Sequence, residues 1–478
     1  MNYRMITYIL GWILLFESAF LLVPTLTALV YKEPEVLDFL LTIGICLVAS
    51  LLFIATKPKN KDLHSRDGFV IVSLSWIVLS LFGALPFLFT GATTTFIDAL
   101  FETVSGFTTT GASIMTDVEI LPHSVLIWRS FTHWVGGMGV LVFIMAFLPL
   151  SGGRNMHIMK AESPGPSVSK LVPRVRTTAL LLYSIYFVLT LVMFIILLCG
   201  GMPVFDALCT SFGTAGTGGF SIYNSGMNGY SAFLQIVITV FMLIFSINFE
   251  SYFALLQRKW RDIFSTEVIT FLLIVASAVG IITLNLSATL GSSPDSLRHS
   301  FFTVASLIST TGFATADYNL WPELSKMVLL SLFFIGACAG STGGGVKISR
   351  ILILFKGIGR EIRSSLHPKE VKKVTVDGKP VEQSVVTSVF VFFVCLIVMI
   401  LASVLILSLD GADFMTNFSA TITTLGNVGP GFSAVGPTGN FAFFSPLSKL
   451  VLCFNMLAGR LELFPMLLLF TPSTWKKH

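Results

Sequence analysis

The sequence predicts an all-α membrane protein. Four repeats of helix, pore loop and helix surround one pseudo-fourfold pore, and two extra N-terminal transmembrane helices bring the total to ten spans. Three observations carry this expectation. The 478 residues are 54% hydrophobic and 12% charged, where a soluble domain carries about 25% charged residues. The Lys and Arg residues gather at alternate connections between apolar runs. A short turn closed by glycine recurs four times, each copy following an apolar stretch too short to span a bilayer.

The spans come first. Mean hydropathy is +0.85, and apolar runs of roughly 20 residues with few charges read as transmembrane helices. The candidates are 5–30, 36–56, 68–92, 125–150, 178–199, 230–256, 267–290, 326–356, 384–409 and 446–470. The first is too long for a cleaved signal peptide and no small-residue cleavage site follows it, so the N-terminus is expected to be retained. The net charge of +5 is not a nucleic-acid signal, because it follows the connections. Lys57, Lys59, Lys61 and Arg66 form one cluster, and Arg154, Lys160, Lys170, Arg174 and Arg176 a second. Arg258, Lys259 and Arg261 form a third, and the stretch from Lys356 to Lys379 a fourth. The positive-inside rule then places both termini in the cytoplasm and all four glycine turns on the outer side. The six cysteines lie singly in apolar runs and read as packing residues. The seven histidines show no metal-ligand spacing, and His133 beside Trp134 reads as a hydrogen-bonded packing residue.

The repeats follow. The turns are Thr108-Thr109-Thr110-Gly111, Ala215-Gly216-Thr217-Gly218, Ser309-Thr310-Thr311-Gly312 and Gly426-Asn427-Val428-Gly429. The apolar stretches before them are Phe96–Phe107, Pro203–Phe212, Ser296–Ile308 and Asp413–Leu425. Irregular backbone beside such short pieces cannot face lipid, because its amides and carbonyls would lack partners. Re-entrant pore helices buried against their neighbours resolve this. Asp98, Asp206, Asp295 and Asp413 fall near the starts of these helices, where an acid caps the helix and also adds negative charge at an outer mouth. Asp117, Glu119 and Asp317 lie just beyond the turns and add to that field. The organisation read from this is an extension over 1–60, then repeats over 61–168, 169–262, 263–374 and 375–478.

A ring of backbone carbonyls at membrane depth replaces the water shell of a monovalent cation. Glycine admits the dihedrals such a turn needs without a Cβ penalty. The ring is assigned to Thr109, Thr110 and Gly111; Gly216, Thr217 and Gly218; Thr310, Thr311 and Gly312; and Asn427, Val428 and Gly429. The second turn holds several glycines, which leaves its register open.

Below the ring a barrier is expected. Gly336 to Gly345 places five glycines in ten residues of the third repeat's second span. At about 1 kcal/mol each, a regular helix does not survive that density. The gating residues are Gly340, Ser341, Thr342, Gly343, Gly344 and Gly345, with Lys347 at the loop's end. The stretch superficially resembles a phosphate-binding loop, but Lys347 follows valine and no strand precedes it, so a barrier below the ring is the better reading. Arg460 lies about ten residues inside the last span, too deep to snorkel, and is expected to face the pore. Its candidate partners are the carbonyls of the glycine loop and Glu462. Asp377-Gly378 between valine-rich flanks predicts a tight hairpin in the polar and basic connection from Arg360 to Glu382, which is among the largest cytoplasmic pieces.

The turns, with Trp134-Val-Gly-Gly-Met-Gly139, Gly340-Ser-Thr-Gly-Gly-Gly-Val-Lys347 and Gly459-Arg-Leu-Glu-Leu-Phe464, resemble the TrkH/KtrB/HKT superfamily of cation translocating subunits over essentially the whole chain. The two extra N-terminal helices make it similar to the TrkH branch. The resemblance implies potassium uptake across a bacterial cytoplasmic membrane, with potassium as the transported ligand and no organic cofactor. It implies a homodimer on a ring of cytoplasmic nucleotide-binding regulatory subunits of the TrkA type, with the nucleotide bound by that partner. In the plant branch, serine at the first-turn glycine goes with sodium preference, and here that position is Gly111. A sodium- or proton-coupled symporter is the alternative reading, with Asn248 and Glu250 the nearest candidates for a coupling site. An intramembrane enzyme would need a nucleophile with its base, or a metal motif, and the sequence carries neither.

Overall fold

The computed structural model describes residues 1–58, 65–139, 175–259, 263–290, 294–368 and 373–475. Helices dominate it. The only sheet among these residues is a hairpin in which Thr375–Val376 pairs with Lys379–Pro380. Asp377 and Gly378 both have positive φ, 50° and 74°, as a two-residue hairpin turn requires.

The N-terminal extension comprises the helices Tyr3–Phe20, Leu22–Tyr31 and Val36–Ile54. The first packs on the third and on Ser65–Gly83, which opens the first repeat. Gly11 makes the crossing close, and Ser50 Oγ donates to its carbonyl at 2.8 Å. A Cβ at Gly11 would lie 2.8 Å from Ile54 Cγ1 and 2.9 Å from the Ile54 backbone nitrogen.

Each repeat then brings a long helix, a short helix and a second helix. The long ones are Ser65–Gly83 (continued by Leu85–Phe89), Val175–Cys199, Thr266–Leu290 and Gln383–Leu407. The short ones are Phe96–Phe107, Val204–Ala215, Pro294–Ile308 and Phe414–Leu425. Side chains cap the first and the fourth, whereas the second starts after Pro203 with no side-chain cap, so of the expected acids Asp413 caps and Asp98 and Asp206 do not. Thr95 accepts from the Asp98 amide at 3.2 Å and Asp413 from the Thr416 amide at 3.1 Å.

The second helices are His123–Gly137, Ala232–Ser246, Glu323–Phe333 and Pro446–Arg460. Among the described residues, six helices are long and apolar enough to cross a membrane, or seven if one bent pair counts as a span. All six belong to the extension and the long helices. The expected ten spans are therefore not ten continuous helices. Continuity fails at 230–256, where the chain bends by 93° between Ala232–Ser246 and the helix from Phe249. It fails again at 446–470, where Glu462 and Leu463 take φ of 60° and 66°. In 125–150 the helix stops at Gly137, and positions beyond 139 lie outside the described residues. The repeat boundaries expected at 60, 168 and 262 also fall outside them.

The physical cause of the bend is a partner. The last carbonyls of a helix have no acceptor role within it. Those of Phe245 and Ser246 accept from Thr342 and Cys338 of the glycine-rich loop, and the Phe249 amide donates to Gly340 at 3.0 Å. Asn248 Oδ1 restarts the helix by accepting from the Glu250 amide at 2.8 Å.

Because the crossing at Gly11 has no free volume, Gly11→Leu should separate the extension from its partners. We expect a loss of about 1–3 kcal/mol, read as a lower unfolding temperature of the detergent-solubilised protein. An unchanged melting temperature would show that the crossing is loose.

Candidate functional site

The four short helices end alike. The amide of Thr109 donates to Gly106 O at 3.1 Å and that of Thr110 to Ser105 O at 2.9 Å. The same pair of bonds ends the second helix through Thr217 and Gly218, the third through Thr310 and Thr311, and the fourth through Asn427 and Val428. This is the Schellman closure, which needs a left-handed residue after the helix. Thr109, Thr217, Thr310 and Asn427 hold that place with φ of 55°, 54°, 61° and 52°. Two residues on, Gly111, Gly219, Gly312 and Gly429 are left-handed again, at 79°, 79°, 86° and 96°.

This pattern corrects the second turn by one residue. Thr217, Gly218 and Gly219 correspond to Thr109, Thr110 and Gly111, while Gly216 is the right-handed cap that corresponds to Thr108. With glycine at 216, 218 and 219, residue type carries no register. Only the backbone angles do.

The turns close on one another. A Cβ on Gly111 would lie 2.0 Å from Gly218 O, and one on Gly219 would lie 1.8 Å from Thr311 O. One on Gly312 would lie 2.4 Å from Val428 O, and one on Gly429 would lie 2.5 Å from Thr110 O. The order of contacts is first to second, second to third, third to fourth and fourth to first. Thr109, Thr110, Thr217, Thr310, Thr311, Asn427 and Val428 are all fully buried.

Three of the four left-handed residues reach the layer beneath with their side chains, while Thr217 Oγ1 donates to Gly216 O of its own turn at 2.6 Å. Thr109 Oγ1 accepts from Arg460 Nη1 at 3.2 Å, and Thr310 Oγ1 from the Gly344 amide at 2.6 Å. Asn427 Nδ2 donates to Met456 O and to Thr110 Oγ1, both at 2.9 Å. The stretch Gly336–Gly345 is non-helical, between helices ending at Phe333 and starting at Ile348. It lies directly under the ring, with the Gly345 amide on Gly426 O at 2.8 Å. Ser341 Oγ donates to Cys338 O at 2.6 Å inside the loop, and Lys347 Nζ donates to Gly343 O. The buried Lys347 ammonium thus closes the loop on itself.

Arg460 gathers three repeats. Nη1 also donates to Thr342 O at 3.0 Å, and Nη2 donates to Gly136 O at 2.6 Å and Gly137 O at 2.8 Å. The last two are end carbonyls of His123–Gly137, where a cation also meets the negative end of the helix dipole. Of its expected partners the loop carbonyl is present. Glu462 turns to Arg350, which donates Nη2 to Glu462 Oε2.

The outer acids are less free than the sequence suggests. Asp98 pairs with Lys449 at 2.6 Å, and Asp295 with Arg298 at 2.9 Å. Asp206 accepts from the Tyr223 and Tyr230 hydroxyls at 3.2 and 3.0 Å. Of those beyond the turns, Asp117 accepts from Asn224 Nδ2 at 2.7 Å. That bond, with the Glu119 amide, pushes its carboxyl below the usual carboxylate range and keeps it ionised.

A further set of residues was not legible. Glu102 and Arg129 form an ion pair at 2.8 Å with side chains 0% and 2% exposed. Glu102 also accepts from Ser113 Oγ and the Ile114 amide, and Arg129 donates to Ser221 O at 3.1 Å. The pair ties the first short helix to the irregular return segments after two turns. His133 stands beside it with Nδ1 on Gly106 O at 2.8 Å and Nε2 accepting from the Phe220 amide at 3.2 Å, the packing role expected of it. The available signal was a lone acid and a lone base inside apolar helices, where neither is stable unpaired.

Comparison with known proteins gives one consistent result. The TrkH family model, described as a cation transport protein, matches residues 36–477. The chain is 37% identical to the Trk system potassium uptake protein TrkH of Salmonella typhimurium and to that of Escherichia coli K12, over the full length of each. It superposes on the crystal structure of the potassium transporter TrkH from Vibrio parahaemolyticus with a TM-score of 0.89 at 34% identity, each chain covered completely.

Glu102→Gln should destabilise the protein by about 3–5 kcal/mol, because it leaves the Arg129 guanidinium buried without its counter-charge. Glu102→Gln with Arg129→Met should recover part of that loss. Thermal unfolding of the single and double variants reads both effects. Equal melting of the single variant and the parent would show that the pair is not what pins the return segments.

Proposed function

The chain belongs to the TrkH family of cation transport proteins, and on that premise we propose that it carries potassium into the cell through a channel-like pore. It is then a multi-pass protein of the bacterial cytoplasmic membrane with both termini in the cytoplasm, and not an enzyme. The observation that carries the reading is the closed ring of four turns. In this reading the filter is made by the backbone of Thr109 to Gly111, Thr217 to Gly219, Thr310 to Gly312 and Asn427 to Gly429. Carbonyls replace potassium's hydration shell, and the short helices direct their negative ends below. The four turns differ in sequence, so selection among monovalent ions is shallower than four identical turns would impose. The repeats run 61–168, 169–262, 263–374 and 375–478, behind an extension over 1–60.

The loop from Gly340 to Gly345 is the gate, with Lys347 and Arg460 as the groups that hold it. Its position against Thr310, Gly426 and Arg460 supports this. Opening is governed from the cytoplasm by nucleotide-binding subunits of the TrkA type acting on a homodimer. A coupled symporter gains little from the geometry, because Asn248 uses its side-chain carbonyl on the Glu250 amide.

Expression with its regulatory partner should restore growth of a potassium-uptake-deficient bacterium at low potassium. Gly111→Ser should raise the sodium-to-potassium permeability ratio in the same cells or in bilayers, since a side chain there meets Gly218 O. No rescue by a correctly inserted protein would sink the function. An unchanged ratio would sink the filter assignment alone.

Arg460→Ala, or removal of part of Gly340–Gly345, should raise rubidium uptake into proteoliposomes lacking the regulatory subunit. A charged hydrogen bond contributes about 1.5–3 kcal/mol, so the closed–open equilibrium shifts roughly ten- to a hundredfold. If both variants conduct no faster than the parent, the loop does not gate.

A further inference from the structure

At the end of the bundle away from the turns, the extension forms a basic crevice. Its depth follows from the helix direction. The extension's first two helices run from Tyr3 to Tyr31, a stretch long enough to cross a membrane. Their far end reaches the mouth side, where Glu33 accepts from the His123 and Ser124 amides at 2.6 and 3.0 Å. Tyr3 therefore lies at the opposite face, and its hydroxyl donates to Trp475 O at 3.0 Å. There the start of the first helix and the end of Val36–Ile54 flank an open crevice of about 410 Å³ lined by Tyr3, Arg4, Thr7, Ala55, Thr56 and Lys57.

Three properties meet in it. Arg4 and Lys57 are both exposed, and among the described residues neither forms an ion pair. The crevice adjoins the N-terminal, positive end of a helix that begins at Tyr3. One to two turns away, Val48, Leu51 and Leu52 are 60%, 64% and 66% exposed and form a single apolar face of the third helix. A cationic pocket at the head of an apolar, outward-facing ridge matches an amphiphile with an anionic head and two acyl chains. Tyr3 and Trp475 sit at the level where aromatic rings prefer the headgroup region.

We propose that this crevice binds an anionic phospholipid, with the phosphate between Arg4 and Lys57 and the acyl chains along Val48, Leu51 and Leu52. A soluble phosphate would use the cations but leave the ridge unused. A zwitterionic lipid would use the ridge but bring a positive group to two cations. The lipid clamps the first and third helices together at an end where the described residues offer no ion pair between them. This site is separate from the turns and the glycine-rich loop, and it does not depend on their proposed roles.

The test uses the full chain in nanodiscs and in detergent. Native mass spectrometry should detect phosphatidylglycerol retained on the parent. Arg4→Gln with Lys57→Gln should weaken that binding by roughly thirtyfold, at about 1 kcal/mol per juxtamembrane cation and 1.4 kcal/mol per tenfold. Arg4→Lys with Lys57→Arg should restore it, which separates lost charge from lost folding. Phosphatidylcholine should bind the parent and the double variant equally weakly, and rubidium uptake should persist in both. Equal retention of phosphatidylglycerol by the parent and the Gln variant would overturn the proposal. Inorganic phosphate displacing the lipid at comparable concentration would reassign the crevice to a soluble anion and overturn it as well.

Discussion

Four stretches of backbone meet edge to edge here, each against its neighbour with no room for a side chain, and the rest of the structure depends on that contact. Each turn presents a glycine where the neighbouring turn presents a carbonyl, so a side chain at Gly111, Gly219, Gly312 or Gly429 would fall on an oxygen. The contact also requires left-handed backbone at threonine or asparagine, a conformation that costs roughly 1–2 kcal/mol away from glycine. Three of those residues offset the cost with hydrogen bonds to the layer below, Thr109 to Arg460, Thr310 to Gly344 and Asn427 to Met456, and Thr217 with one to Gly216 O in its own turn. Glycine at these places would remove the strain and also the connection.

The same economy of partners explains the layer below. Backbone that leaves helical geometry at membrane depth must find hydrogen bonds inside the protein. The broken second helices and the glycine-rich loop supply one another. Phe245 and Ser246 carbonyls take amides from the loop, and Gly136 and Gly137 carbonyls take the Arg460 guanidinium. Glu267 accepts from Ala339 at 2.7 Å and Ser349 at 3.0 Å, holding both flanks of the loop. Loop, ring and helix ends are therefore one hydrogen-bonded assembly. A change at Arg460 acts on three repeats at once.

Much of the fold was legible because it rests on local chemistry. The first short helix begins and ends where its apolar stretch does, at Phe96 and Phe107. Asp413 caps the fourth, and Asp377-Gly378 makes its hairpin. Five glycines in ten residues abolish the helix over Gly336–Gly345, because glycine density is a property of the chain itself. The breaks after Ser246 and Arg460 were not legible. Ile247-Asn248 and Leu461-Glu462-Leu463 hold neither glycine nor proline, and both segments read as continuous apolar helix.

What the amino-acid sequence determined by itself is that long helices apolar enough to cross a membrane recur along the chain, how many times the turn recurs, and that helical backbone cannot persist over Gly336–Gly345. These follow from hydropathy, spacing and glycine content. Tertiary structure alone decided the register of the second turn, the pairing of Glu102 with Arg129, the neutralisation of Asp98 by Lys449 and the bends in the second helices. Each depends on a group more than 25 residues away along the chain, or on a dihedral angle that three interchangeable glycines leave open. Local propensity does not report such distant partners. A buried charge or a broken helix is stable only once its partner has been folded against it.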